Sequence, residues 1–165
     1  SARHPPFSFS GSGNFSVREQ LRIHTAYPEG AAVFADRVLL HPPGCQVFLM
    51  EGRLAGYVLS HPWMRFCPPA LNQVLRTLPA PTDGVYIHDL AVAPWARGTG
   101  AGQELAAAAL QAARDSSLPR VGLEAVGESE PFWERQGFRG VDRAYLAAKL
   151  ASYGAGARYM EQLLS

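Results

Sequence analysis

The stretch from Val85 to Leu105 constrains this chain more than any other. A β-rich run, Val85-Tyr86-Ile87-His88-Asp89-Leu90-Ala91-Val92, is followed by Ala93-Pro94-Trp95-Ala96 and then by Arg97-Gly98-Thr99-Gly100-Ala101-Gly102. The first run predicts a buried strand over Val85 to Val92, and the alanines beyond it predict a helix over Thr99 to Ser116. A glycine-rich turn between a strand and a helix N-terminus aims several backbone N–H groups at one place, and the helix dipole adds positive potential there. That is an anion site, and a pyrophosphate fits it. Glycines let a phosphate approach the main chain with no Cβ in the way, and Arg97 adds a charged donor. Close packing alone would also explain glycines here, so the flanking pattern decides. The dinucleotide pattern G-x-G-x-x-G requires glycine at Gln103 when read from Gly98, or at Leu105 when read from Gly100, and fails in both registers. A lysine-bearing phosphate loop fails as well, because Lys149 is the only lysine in the chain.

The surrounding sequence supplies a sheet for this strand. Cys45 to Met50 and Leu54 to Ser60 flank Glu51-Gly52-Arg53 and predict a hairpin. Downstream, Val121 to Val126 predicts a strand, Glu130 to Gln136 a short helix capped by Ser129, and weaker strand signals lie near Phe138 to Val141 and Ala157 to Met160. Phe15 to Arg18 suggests a first strand, and Glu19 to Leu40 two short helices split at Tyr27-Pro28-Glu29-Gly30. His61 to Gly84 is a long, proline-broken link in which Leu71, Val74, Leu75 and Leu78 have the spacing of one short helix; such a link is often a binding loop. Ser1 to Gly13, rich in Ser, Gly and Pro, reads as a flexible tail, which leaves 14–165 as the folded domain. The order of elements predicts an α/β (α+β) chain with a single sheet.

Composition narrows the function classes. A chain of 165 residues suits one domain. With 15 basic and 14 acidic residues, its net charge of +1 is too near neutral for affinity drawn from nucleic-acid phosphates, so no nucleic-acid partner is expected. Apolar runs fall short of the roughly 20 residues of a membrane span, and no signal-peptide pattern is present; the expectation is a cytoplasmic protein without a membrane partner. Cys45 and Cys67 form no C-x-x-C pair and read as buried thiols, and the five histidines show no ligand-like spacing, so no metal site is expected.

Arg97-Gly98-Thr99-Gly100-Ala101-Gly102 reads as R-x-x-G-x-G, and Leu90-Ala91-Val92-Ala93-Pro94 before it reads as L-x-V-x-P. Together they closely resemble the acetyl-CoA loop of the GNAT superfamily of N-acetyltransferases. Phe132-Trp133-Glu134-Arg135-Gln136-Gly137-Phe138 is similar to the aromatic-x-x-x-Gly-Phe ending of the family's last helix, and the hairpin stands where the family places its second and third strands. The resemblance covers most of the chain from Phe15 on. It implies a mixed sheet splayed between the strand ending at Val92 and the strand ending near Val126, with acetyl-CoA in the gap. The main chain of Leu90, Ala91 and Val92 would pair with the pantetheine arm as an added strand does, and the amides of Arg97, Gly98, Thr99, Gly100, Ala101 and Gly102 would hold the pyrophosphate. The implied activity is direct acetyl transfer, within a ternary complex, to a primary amine of a small molecule or peptide. The alternative is a non-catalytic acetyl-CoA or CoA-binding or sensing domain of the same fold. A homodimer is left open.

Amine acetylation needs an unprotonated amine, stabilisation of the oxyanion and a proton for the departing thiolate. On the strand before the loop, His88 and Asp89 are the only side chains suited to act as base, and strand alternation predicts that they point to opposite faces. An ordinary histidine titrates near neutral pH. His-Asp-Leu also resembles the Glu-Asp-Leu/Phe of the polyamine-acetylating branch, with His88 at the glutamate position. The competing reading makes His88 a core histidine and Asp89 a hydrogen-bonded strand-end carboxylate. Many family members carry a tyrosine acid where this chain has Trp133, so Tyr145, Tyr153, Tyr159 or a water are the remaining candidates. Phe132 and Trp133 then pack against the cofactor or the core, and the family's frequent asparagine after the fifth strand is missing, with Val126 near its place. In the long link, Trp63, Met64 and Phe66 offer apolar contact to a substrate. Asp83 is the only acidic residue from His61 to Gly84, which predicts a small or partly apolar amine over a long polyamine.

Overall fold

The hairpin forms around a two-residue turn, because Glu51 and Gly52 both adopt positive φ (52° and 74°), the combination whose twist matches that of the flanking strands. The computed structural model describes residues 31–70, 73–142 and 157–165. The tail, the strand at Phe15 to Arg18, the first of the two helices, Tyr145 and Tyr153 lie outside them. In chain order the elements are α1 (Ala31–Leu40), β1 (Cys45–Met50), β2 (Arg53–Trp63), β3 (Gly84–Val92), α2 (Ala101–Asp115), β4 (Arg120–Ala125), α3 (Glu130–Arg135), β5 (Arg139–Gly140) and β6 (Arg158–Leu163). Each falls within a few residues of its predicted position. Ser129 does stand before α3, but its hydroxyl donates to the Val126 carbonyl at 2.7 Å and caps no helix N–H. The predicted helix in the long link does not form: residues 73–78 are irregular, and Leu71 lies outside the described residues. Asp36 and Arg37 of α1 claim the Leu75 and Arg76 amides and the Gln73 carbonyl, and Arg76 has φ 65°, which no right-handed helix accommodates.

The six described strands make one mixed sheet in the order β1-β2-β3-β4-β6-β5, parallel among them only between β3 and β4. That parallel pairing stops early. Val85, Tyr86 and Ile87 face Val121, Gly122 and Leu123, yet β3 runs on to Val92 and β4 to Ala125. The sheet is therefore splayed at its centre, where the sequence resemblance places the gap. Its physical cause is visible in β3. Leu59 of β2 faces Asp89 while Ser60 faces Ile87, so His88 is the extra residue of a bulge, and a bulge bends and twists the strand that carries it.

The two faces of the sheet differ. On one, Leu105, Ala106, Ala109, Leu110 and Ala113 of α2 pack on Val58, Val85, Ile87, Val121 and Leu123, with Trp133 and Phe138 closing the end. On the other, Phe34 and Val38 of α1 cover Ala55, Tyr57, Leu59 and Ala91. No described helix is long and apolar enough to cross a membrane.

Candidate functional site

The loop leading into α2 is built from two left-handed glycines. Gly98 (φ 78°) and Gly100 (φ 89°) take conformations that side chains resist, and a Cβ on either would meet none of the described residues within 4 Å, so the main chain there is open to an approaching group. Gly100, the N-cap of α2, has no side chain with which to cap it, and the first-turn amides of Ala101 and Gly102 have no intrahelical acceptor. Of the six amides expected to point outward, two are spent inside the turn: Arg97 donates to Pro94 O at 3.4 Å and Thr99 to Ala96 O at 3.3 Å. Both bonds come from the tight turn that Pro94 initiates. The amides of Gly98, Gly100, Ala101 and Gly102, together with the exposed Arg97 side chain, remain for an anion. Phe132 lies against this loop, its ring 3.2 Å from where a Cβ on Gly102 would stand. Trp133 does not share that position. It is 7% exposed and packs edge-on to Phe132 and Phe138, with ring centroids 5.0 and 5.3 Å away. Of the two places the sequence allowed for Trp133, the structure shows the core.

Past Ile87, the edge of β3 that faces β4 carries no strand partner among the described residues, so the main chain of Leu90, Ala91 and Val92 is available there while its other edge is paired to Val58, Tyr57 and Gly56. An extended, hydrogen-bonding ligand with an anionic end fits this edge and the loop beyond it.

The bulge overturns the expectation that His88 and Asp89 point to opposite faces. Val85 and Ile87 belong to the α2-side cluster and Leu90 packs on it; three residues separate Ile87 from Leu90, so the alternation is broken between them. Both His88 and Asp89 consequently turn to the α1 side. There the Tyr57 hydroxyl donates to Asp89 Oδ2 at 2.7 Å, and the His88 ring lies 6.4 Å from that of His61. Glu124 joins them from β4. Leu123 and Ala125 lie in the α2-side cluster, so Glu124, half-buried, faces the other way, one step beyond the last pair Ile87–Leu123 and across the split from His88. The sequence reading passed over it, although a carboxylate inside the otherwise apolar Val121-Gly122-Leu123-Glu124-Ala125 was a signal.

Tyr159 of β6 stands on this same face, since a Cβ on Gly122 would meet its ring. Its hydroxyl accepts from the Phe66 amide at 3.5 Å. Burial first, and then the nearby Glu161 carboxylate, pushes its pKa up to about 12, so it holds its proton at any physiological pH. The long link covers these groups. Phe66 packs edge-on to Tyr159 at 5.5 Å, Arg65 grips Glu161 through both Nε and Nη2, and Trp63 stacks edge-on to His61 at 5.3 Å while its indole N–H donates to Cys67 O at 2.5 Å. Met64 is 43% exposed. Trp63 and Phe66 are thus brought to the site face, and Met64 lies toward solvent. Cys45 is buried, its thiol pushed up to about 12 chiefly by that burial, and is chemically inert.

The comparisons with known proteins agree with this geometry. A family model described as the acetyltransferase (GNAT) family matches residues 15–138. The fold is similar to Ard1 from Thermoplasma volcanium, at 18% identity and TM-score 0.67 over 93% of this chain and 96% of that one. It is similar to a GNAT-like decarboxylase, GphF, solved with isobutyryl-CoA (16%, TM-score 0.67, 87% and 90%). The ribosomal-protein-S18-alanine N-acetyltransferase from Escherichia coli is also similar (16%, TM-score 0.61, 90% and 85%). No curated protein matches the chain by sequence.

Proposed function

The chain belongs to the GNAT acetyltransferase family, and from that premise we propose that it transfers an acetyl group from acetyl-CoA directly to a primary amine of a small molecule or peptide. The observation that carries the proposal is the split between β3 and β4, which has the glycine loop at its end and His88, Asp89 and Glu124 on one face. Acetyl-CoA, when bound, supplies a thioester carbonyl open to attack by an amine. The amides of Gly98, Gly100, Ala101 and Gly102, with Arg97, hold its pyrophosphate, and the free edge of Leu90 to Val92 aligns its pantetheine arm. His88 takes the proton from the incoming ammonium or from a water next to it, and Asp89 and Glu124 keep the region negative enough to draw that cation in. Tyr159, protonated and on the same face, is the donor for the departing thiolate in place of the tyrosine that Trp133 replaces.

Release of free CoA, followed across a panel of polyamines, amino acids, aminoglycosides and peptides, tests the reading. Turnover with at least one amine is expected; calorimetric binding of acetyl-CoA with no turnover on any would leave a CoA-binding domain instead. Gly100→Val forces a β-branched residue into φ 89° and puts methyl groups where a phosphate would sit. It is expected to weaken acetyl-CoA binding by about 1–3 kcal/mol; unchanged affinity in calorimetry would remove the loop from the site.

A further inference from the structure

Two arginines in this protein present the same edge of the guanidinium in opposite circumstances. Arg65 donates from Nε and Nη2 to the two oxygens of Glu161, the side-on fork that matches a carboxylate. Arg37 of α1 is 0% exposed, and its Nε and Nη2 have no hydrogen-bond partner among the described residues. Its Nη1 is fully used, donating to Asp36 Oδ2 at 2.7 Å and to Gln73 O at 2.9 Å. Asp36 cannot serve the other edge as well. Its Oδ2 also accepts from the Leu75 amide and its Oδ1 from the Arg76 amide, each at 2.8 Å. Burial raises the pKa of this carboxyl, but those amides and Arg37 outweigh it and hold the group below the usual carboxylate range. Buried charged donors left unsatisfied are costly, and a planar fork kept in that state calls for a planar, two-oxygen partner.

A second unpartnered polar atom lies nearby. His61 is 0% exposed, and its Nδ1 lies 3.0 Å from the Pro62 carbonyl. A carbonyl only accepts, so Nδ1 carries the proton and Nε2 is a bare acceptor; it too has no partner. The Cys45 thiol lies 3.5 Å from the Arg37 carbonyl and 4.0 Å from that of Ser60, which ties Arg37 to the residue before His61, and the His88 ring is 6.4 Å from the His61 ring. His61 thus continues the site face from His88, and Arg37 stands on α1, the helix whose Phe34 and Val38 pack on that face.

We propose that Arg37 is the specificity-determining residue of the acceptor subsite. Its Nε/Nη2 fork binds a carboxylate of the amine substrate, and the acceptor is an α-amino acid or a closely related amino carboxylate. This rests on the acetyltransferase reading above and narrows its substrate class. His61 Nε2 accepts a hydrogen bond from an N–H or O–H of the same acceptor. Because Arg37 is sealed, the carboxylate enters by displacing part of the 73–76 segment, whose main chain is held to α1 by the side chains of Asp36 and Arg37 and not by regular structure.

The test uses the full chain loaded with CoA or acetyl-CoA. Calorimetry measures binding of a set of α-amino acids, and then of the primary amide and the decarboxylated amine of each of the three tightest. CoA release gives KM and kcat for the same compounds. The acid is expected to bind roughly tenfold tighter than its amide, the loss of one charge-assisted bidentate contact. In Arg37→Met, and to a lesser degree in Arg37→Lys, that ratio should fall to about two, through KM and not kcat; thermal unfolding shows whether each variant is folded. Equal binding of acid and amide by the unmodified protein, or an unchanged ratio in a folded Arg37→Met, would overturn the proposal. The unmodified protein decides alone if the variants fail to fold. Carboxylate-dependent binding with no CoA release sinks the acetyltransferase reading and keeps this subsite; amine acetylation indifferent to the carboxylate does the reverse.

Discussion

The two faces of the central sheet are built from the same strands and read oppositely. The core under α2 is apolar, with Leu105 and Phe138 both 0% exposed, and its members are residues that a helix or strand pattern selects. The α1 face carries His61, His88, Asp89, Glu124 and Tyr159, with Arg37 on α1 itself, a set of polar groups that no stability argument would place between a sheet and its cover. One face pays for the fold; the other spends part of it on chemistry. If that division is real, substitutions on the two faces should separate rate from stability.

The largest effect belongs to the bulge. His88→Ala should lower turnover by roughly 10²–10⁴ and Asp89→Ala, which removes only part of the attracting charge, by less; since both lie on one face and within one strand step, the double variant should lose less than the product of the two. A loss that disappears at high pH, where the amine arrives unprotonated, assigns the role to proton removal. Full turnover in both single variants would mean that the polar row is structural.

On the opposite face, Phe138→Ala should cost about 3–5 kcal/mol of stability, read from the urea midpoint at constant slope, because its ring is wholly buried against Trp133 at 5.3 Å. A cost below about 1 kcal/mol would show that this end of the α2 face repacks freely and that the contrast between faces is weaker than drawn.

Acid should expose the other side of the comparison. Burial first, then the neighbouring His88, Arg37 and His41, hold His61 down to about 3 against its ordinary 6.5, with only the Pro62 carbonyl opposing. The unfolded chain therefore binds a proton that the folded one refuses. Stability contributed by this group is complete above pH 6.5 and falls as the pH drops toward 3, by about 1.4 kcal/mol per pH unit. His61→Gln should flatten that slope by one proton; an unchanged slope would show that His61 protonates without unfolding.

Legibility followed the same line. The glycine loop, the hairpin and α2 were readable because their signals are local: Gly98 and Gly100 mark their own backbone conformation, and the alanines of α2 mark their own helix. The splay was readable only through the resemblance, and its cause was not, since a bulge at His88 depends on how β2 registers against β3. Glu124 was not legible because its place in the proposed site comes from the residue across the split. The helix expected around Leu75 failed because Asp36 and Arg37, far away in sequence, outbid the local apolar spacing for its amides.

The smallest effect tests where the acceptor meets the long link. Trp63 is held twice, by its indole N–H to Cys67 O at 2.5 Å and by edge-on contact with His61 at 5.3 Å, so its ring is a fixed wall of the α1 face. Trp63→Ala removes wall and anchor together and should raise KM for the amine by about tenfold, while KM for acetyl-CoA, bound toward Val92 at the opposite end of β3 from Trp63, moves far less. Trp63→Phe keeps the ring and loses the N–H, and should recover most of the amine KM if contact with substrate is what matters. Should Trp63→Phe behave like Trp63→Ala, the hydrogen bond that shapes the turn at Cys67 is the operative part, and the ring serves the fold. Should both Michaelis constants rise together in Trp63→Ala, the link supports the whole cleft, and the α1 face would then carry stability as the α2 face does.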